Sequence, residues 1–172
     1  MELVYVSQVG TCPCSQQILG LLNQADKEFI PPLSSRGSTT QQQFSQAAPA
    51  PEGVMDYFRT MAQQPAILAM DADRCVGFMA FKENYDCPQT PGFPNLYAST
   101  CVVSPQARGK GLMESFYKEM LRLFPRHSIF TRTWHTNFPH LRVLDKLGFR
   151  EIQRLPGHRG PGLDTVYYAL IR

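Results

Sequence analysis

The sequence predicts an α/β fold of a single domain, 1–172, in which a sheet is flanked by helices. Apolar stripes of helical period alternate along the chain with short runs of β-branched and aromatic residues. One of those runs passes through a glycine-bearing turn directly into a helical stripe. The 172 residues, 43% apolar and 18% charged, have a globular composition and enough length to bury a core without covalent staples.

The elements follow in order. Leu3 to Val6 reads as a strand. Ile18, Leu21, Leu22, Ala25 and Phe29 share one helical face, and Pro31-Pro32 must end that helix because proline cannot continue the backbone ladder. Ser34 to Gly53 is rich in Ser, Thr, Gln, Ala and Pro and reads as a mobile surface loop, with a lid as the functional alternative. Val54, Tyr57, Phe58 and Met61 mark a short helix. Ala66 to Met70 and Cys75 to Phe81 are strands of a hairpin turned by Asp71-Ala72-Asp73-Arg74.

Pro88, Pro91 and Pro94 make Glu83 to Asn95 a loop, and Leu96 to Val103 is the next strand. Met113, Phe116, Tyr117, Met120 and Phe124 form a helical stripe that Pro125 ends. Ser128 to Trp134 is a strand. Leu141, Leu144 and Leu147 share a helix face that stops at Gly148. Phe149 to Leu155 and Thr165 to Ile171 are two last strands around a Gly-Pro loop. No internal repeat is present.

Composition narrows the function classes. No apolar run approaches the ~20 residues of a membrane span. Met1-Glu2-Leu3-Val4-Tyr5-Val6 lacks the basic start and apolar stretch of a signal peptide, which predicts a cytoplasmic protein. Five cysteines, an odd number, argue against a disulfide framework. Cys12-Pro13-Cys14 has no second Cys or His pair at ligand spacing, so no metal is expected. The net charge of +3 tolerates an anionic cofactor without demanding nucleic acid.

The segment that carries chemistry is Val103-Ser104-Pro105-Gln106-Ala107-Arg108-Gly109-Lys110-Gly111-Leu112-Met113. The first backbone N–H groups of a helix lack internal partners and carry partial positive charge, and glycine lets a phosphate approach them. Arg108 and Lys110 add full charges. The segment is not a Walker A loop, which needs G-x-x-x-x-G-K-[ST], and it lacks the third glycine of a dinucleotide fingerprint.

This segment resembles the GNAT N-acetyltransferase superfamily, whose members run from a strand through V-x-P-x-x-R-G-x-G into a helix. Val103, Pro105, Arg108, Gly109 and Gly111 match in order. The core signature [Q/R]-x-x-G-x-[G/A], registered from the strand, falls on Arg108, Gly111 and Met113, with Met113 in place of a small residue. It also matches literally at Gln106, Gly109 and Gly111. A second family pattern, N-x-x-A-x-x-x-Y-x-x-x-G-F, matches at Asn137, Gly148 and Phe149, with His140 in place of the alanine and Leu144 in place of the tyrosine.

The resemblance implies a mixed, mostly antiparallel sheet splayed between its fourth and fifth strands, with acetyl-CoA wedged into the opening. The pantetheine would pair with the backbone of Cys101, Val102 and Val103, as an added strand does. The pyrophosphate would sit on Arg108, Gly109, Lys110, Gly111, Leu112 and Met113, with Asn137 beside the pantetheine or capping its helix. The implied reaction moves an acyl group from acyl-CoA to a primary amine by direct transfer. A small molecule or a peptide would be the acceptor, and a homodimer is compatible with this.

The usual acid is missing at Leu144. Tyr97 stands where some histone-acetylating relatives carry a glutamate. His135, with an ordinary pKa near ~6.5, suits a base. Tyr97 and His135 are therefore the candidate catalytic residues. His158 and Arg159 are candidates to hold an acidic group on the acceptor. The rival readings are a catalytically silent acyl-CoA-binding module and a nucleic-acid-binding domain, the latter disfavoured for want of a basic stripe.

Overall fold

The computed structural model describes residues 1–44 and 48–172. Strands β1 (Glu2–Val6), β2 (Ala66–Asp71), β3 (Arg74–Glu83), β4 (Asn95–Val103), β5 (Ser128–Trp134), β6 (Arg150–Leu155) and β7 (Thr165–Leu170) form one seven-stranded sheet in the order β1-β2-β3-β4-β5-β7-β6. Every pairing is antiparallel except β4 with β5. The α/β fold and the mixed, mostly antiparallel sheet expected from the sequence are both present.

Helices α1 (Ser15–Ala25) and α2 (Met55–Met61) cover one face of the sheet, where Ile18, Leu22, Met61 and Phe78 are fully buried together. Helices α3 (Leu112–Leu123) and α4 (Phe138–Lys146) belong to the other face, where Phe116, Met120, Leu144 and Phe149 pack in a second cluster. Side chains alternate across a strand, so each central strand feeds both clusters.

Helix α1 ends at Ala25, before the expected proline stop. Asp26–Glu28 tightens into a 3₁₀ turn, and the Asp26 carboxylate accepts the Ser34 N–H at 2.7 Å, which draws the chain back on itself. Phe29 therefore leaves the helical stripe predicted for it and meets Trp134 edge-on at 6.1 Å.

The parallel β4–β5 pairing covers only Asn95–Ala98 against Ser128–Thr131. Beyond it the strands part, as the resemblance implied. A bulge sits at the same place. Ala98 opposes Phe81 and Thr100 opposes Ala80, so Ser99 is the extra residue of β4. The Thr131 hydroxyl donates to the Ala98 carbonyl at 2.8 Å and fastens the two strands where the splay begins.

Candidate active site

The parting of β4 and β5 opens a cavity of about 630 Å³ that reaches both faces of the sheet. The strand backbone explains this reach. On β5, Thr131 and Thr133 face α3 and α4, whereas Arg132 and Trp134 face the α1 side, and all four line the cavity.

On the α3–α4 side, the wall is the free edge of β4 from Ser99 to Val103 and the turn into α3. Cys101, Val102 and Val103 are part of it. Gly109 and Gly111 have φ of 76° and 72°, a left-handed backbone that glycine adopts at little cost. The α3 ladder begins with Ser115 N–H donating to Gly111 O at 3.0 Å, so the N–H groups ahead of it have no helical acceptor.

Arg108, Gly109, Gly111, Leu112 and Met113 line the cavity, whereas Lys110 is exposed beside it. Arg108 donates to the Val103 carbonyl at 3.0 Å and to Glu28 at 2.7 Å. Both members of that ion pair are about half exposed, so the pair contributes little to stability and exchanges readily for another anion.

Asn137 also lines the cavity. It occupies the N-cap position of α4 but makes no side-chain cap; its amide donates to the Thr133 hydroxyl at 2.9 Å. His140, one helical turn on, is buried and its Nε2 shares a 2.8 Å hydrogen bond with the Tyr117 hydroxyl. Burial pushes His140 down to about 4 and raises the Tyr117 phenol above its ordinary range. Both side chains therefore stay neutral at physiological pH. Tyr117 and His140 line the cavity, with Cys101 and Thr131 as polar neighbours of the phenol. Burial also pushes the Cys101 thiol up to about 12, which leaves it a poor nucleophile.

Of the two catalytic candidates, Tyr97 lines the cavity on the α1 side. Its ring packs 5.0 Å from both Tyr85 and Phe130. His135 lies outside the cavity. Its Nδ1 accepts the Asp164 N–H and its backbone N–H donates to the Asp164 carbonyl, both at 3.0 Å. The ring thus ties the end of β5 to the β6–β7 loop. Leu144 is fully buried in the core cluster with Tyr117 and does not line the cavity.

The α1-side wall comes from the 34–44 segment and the Gly-Pro loop. Of the Ser34 to Gly53 segment, read from the sequence as a mobile surface loop, residues 34–44 are packed down instead, and residues 45–47 lie outside the described residues. Ser34, Arg36 and Thr39 are buried, and Phe44 sits against three guanidinium groups, those of Arg36, Arg132 and Arg159, with centroid distances of 5.1, 4.9 and 4.7 Å. Arg159 enters from the Gly-Pro loop. His158 is tied down by the Gln42 carbonyl at 2.6 Å and the Thr165 hydroxyl at 2.7 Å. The 84–94 loop supports this wall from behind, through Tyr85, which donates to the Thr40 carbonyl at 3.1 Å.

Tyr117, His140 and Arg36 carry no signal in the motifs that found the turn. Tyr117 reads as part of a core stripe, and only the fold shows that its hydroxyl reaches the splay.

The cavity fits a thioester cofactor with a long amide arm and an anionic end. A free strand edge leads to a left-handed glycine turn at a helix N-terminus. The comparisons agree. No curated protein matches the chain in sequence. Its fold is similar to that of ribosomal-protein-alanine N-acetyltransferase from Brucella melitensis, with a TM-score of 0.68 at 15% identity and 100% of each chain covered. It is similar to aminoglycoside 6'-acetyltransferase type Ii, with a TM-score of 0.68 at 16% identity, covering 99% of this chain and 97% of that one. It is also similar to yncA from Salmonella typhimurium, determined with its cofactor acetyl-CoA, with a TM-score of 0.62 at 15% identity, covering 99% and 94%. The model of the acetyltransferase (GNAT) family matches residues 35–149, more than half of the sequence, and the chain belongs to that acetyl-CoA-using family.

Proposed function

We propose that this acetyltransferase moves an acetyl group from acetyl-CoA directly to a primary amine, and that the two substrates meet through the splay. The observation that carries this reading is the cavity itself. It joins a glycine turn and free strand edge on one face to a pocket lined by Arg36, Arg132 and Arg159 on the other. Acetyl-CoA supplies an activated acyl thioester.

In this reading the backbone N–H groups of the turn from Gly109 to Met113 hold the pyrophosphate, and Arg108 releases Glu28 to join them. Lys110 adds a nearby positive charge. Cys101 to Val103 hold the pantetheine as an added strand, with the Asn137 amide beside it. A backbone N–H at the Ser99 bulge or the strand just after it donates to the thioester oxygen, and such donors are worth ~3 kcal/mol.

Tyr117 takes the place that Leu144 leaves empty. A phenol with a raised pKa gives up its proton poorly to a thiolate of pKa ~8.5. Its part is to hydrogen-bond the departing sulfur rather than to complete a proton transfer. Tyr97, on the acceptor wall, is assigned to orient the attacking amine by accepting a hydrogen bond from it, and the proton that the amine loses ends on the departing thiolate; His135, outside the cavity, is assigned no part. A donor for the leaving thiolate inside the cavity favours an active enzyme over a silent binding module. The protein is read as cytoplasmic, as expected from the sequence.

Calorimetry with acetyl-CoA and with an acetylated pantetheine lacking the pyrophosphate tests the cofactor assignment. The shorter analogue should bind much more weakly. Gly111→Val should also weaken acetyl-CoA, because a branched residue is strained at φ 72° and distorts the turn. Equal affinities would refute the assignment. Free-thiol release across a panel of primary amines tests transfer, and tight acetyl-CoA binding with no amine accelerating release would leave the silent module.

A further inference from the structure

On the acceptor wall three arginines converge without a counter-ion. Arg36 and Arg159 are 9% and 4% exposed, Arg132 is partly buried, and all three line the cavity. Among the described residues none of them forms a salt bridge with a carboxylate. The undescribed 45–47 are Ser, Gln and Ala, which carry no charge. Asp26, the acid nearest Arg36, is engaged by the Ser34 N–H.

The guanidinium groups are held by neutral partners. Arg36 donates to the Pro31 carbonyl through Nε at 3.0 Å and Nη2 at 2.8 Å. Arg159 donates to the Ile30 carbonyl at 2.7 Å and the Thr165 hydroxyl at 2.9 Å. Arg132 donates to the Gln41 carbonyl at 2.6 Å and more distantly to the Tyr167 hydroxyl. Nη1 of Arg36 and Nη2 of Arg159 make no hydrogen bond among the described residues.

Burial, followed for Arg159 by the charges of Arg36 and Arg132, lowers Arg159 to about 9; burial likewise lowers Arg36 to about 10. Both still carry their charge at neutral pH. Two buried positive charges beside a partly buried third, with no counter-ion among the described residues, are costly to hold together, and an anion entering the cavity would relieve that cost. The aromatic faces of Phe44, Phe29 and Trp134 offset part of it in the meantime.

We infer that Arg36, Arg132 and Arg159 form a receptor for an acidic group, a carboxylate or a phosphate, carried by the amine that this enzyme acetylates. The acceptor is then a zwitterionic small molecule. Its acidic end lies among the guanidinium groups and its amine points back toward the splay. The inference rests on the transfer reading of this cavity, and its test separates the two.

Primary amines in matched carboxylate, phosphate-monoester and carboxamide forms are compared by kcat/KM. The acidic member of a set should exceed its carboxamide on the order of 10²-fold, and whichever acid is preferred identifies the group. Arg159→Gln, with Arg132→Gln as the variant at the less buried position, should collapse that ratio toward unity. In parallel, succinate, inorganic phosphate and succinamide are titrated into the CoA-loaded protein by thermal shift. At least one of the two anions should stabilise the wild type saturably, succinamide should not, and the variants should lose the effect. Anion stabilisation that depends on the arginines, with no amine turned over, supports the receptor and counts against transfer. Turnover that ignores the acidic group, or the absence of anion stabilisation, overturns the receptor; the first leaves transfer standing.

Discussion

Replacing Tyr117 by phenylalanine removes one oxygen and keeps the ring. The packing of that ring against Phe149 at 5.2 Å survives, and so does most of its contact with His140 at 6.0 Å. What is lost is the 2.8 Å bond to His140 Nε2, a ring nitrogen that then has no partner in a residue only 8% exposed. An orphaned buried polar atom costs about 1–3 kcal/mol, or several degrees in melting temperature for a chain of this size. In the active enzyme the departing thiolate also loses its donor. Removing a donor of this kind costs ~10²–10³ in kcat. Because the phenol is not assigned to the adenosine or the pyrophosphate, the affinity for acetyl-CoA should change little. The assay is kcat on a found acceptor, with acetyl-CoA affinity by calorimetry and melting temperature on the same sample. A lower melting temperature with kcat unchanged would make Tyr117 a core residue and refute the assignment.

Two further outcomes are expected. His140 titrates near ~6.5 when unfolded but at about 4 in the fold, so between those values the unfolded chain binds a proton that the folded chain does not. Stability is therefore complete above pH ~6.5 and falls as the pH drops toward 4, by on the order of 3 kcal/mol from this group. His140→Gln should flatten the melting temperature across that window, apart from the slope left by His158, which burial also lowers; an unchanged slope would contradict a neutral buried His140. Leu144→Tyr restores the residue that the family pattern has at this position, but Leu144 is fully buried in the core. The substitution should cost about 1–3 kcal/mol by overpacking and give no gain in rate, and a faster enzyme of unchanged stability would show that the site reaches Leu144 after all.

Much of this fold was legible because its signals are local. The strand of Ser128–Trp134 and the stripe of α3 follow from periodicity alone, and the glycine turn is written in consecutive residues. The remainder depends on contacts distant in sequence. Arg36 and Arg159 meet because the neighbouring carbonyls of Pro31 and Ile30 and the Thr165 hydroxyl at the start of β7 hold them, and no spacing in the sequence announces that. His135 looked apt for catalysis by position, yet one tertiary contact, with Asp164, takes it out of the cavity. The 34–44 segment has the composition of a loose loop. It is ordered by burying an aromatic ring against charges that composition cannot show to be nearby.

The splay is what lets so small a stretch of β4 and β5 serve the two substrates of the proposed transfer. Paired over their full length, the strands would separate the two faces of the sheet. Here pairing ends at Ala98 and Thr131, and Ser99 bulges out at that point. The bulge returns Cys101 and Val103 to the same face as Ala98, and Thr100 to the face of Tyr57, whose hydroxyl it meets at 2.6 Å. On β5 the order Thr131-Arg132-Thr133-Trp134 alternates small hydroxyls with large side chains. The hydroxyls face α3 and α4, the side on which the proposed reading threads the pantetheine arm. The guanidinium and the indole face the acceptor wall. A slip of one residue in the β5–β7 register would exchange the two sets, placing Arg132 and Trp134 on the α3–α4 side, where the cofactor is proposed to lie, and leaving the other wall without the charge of Arg132. The antiparallel pairing that places Tyr167 opposite Arg132 is thus a condition of the chemistry as well as of the fold.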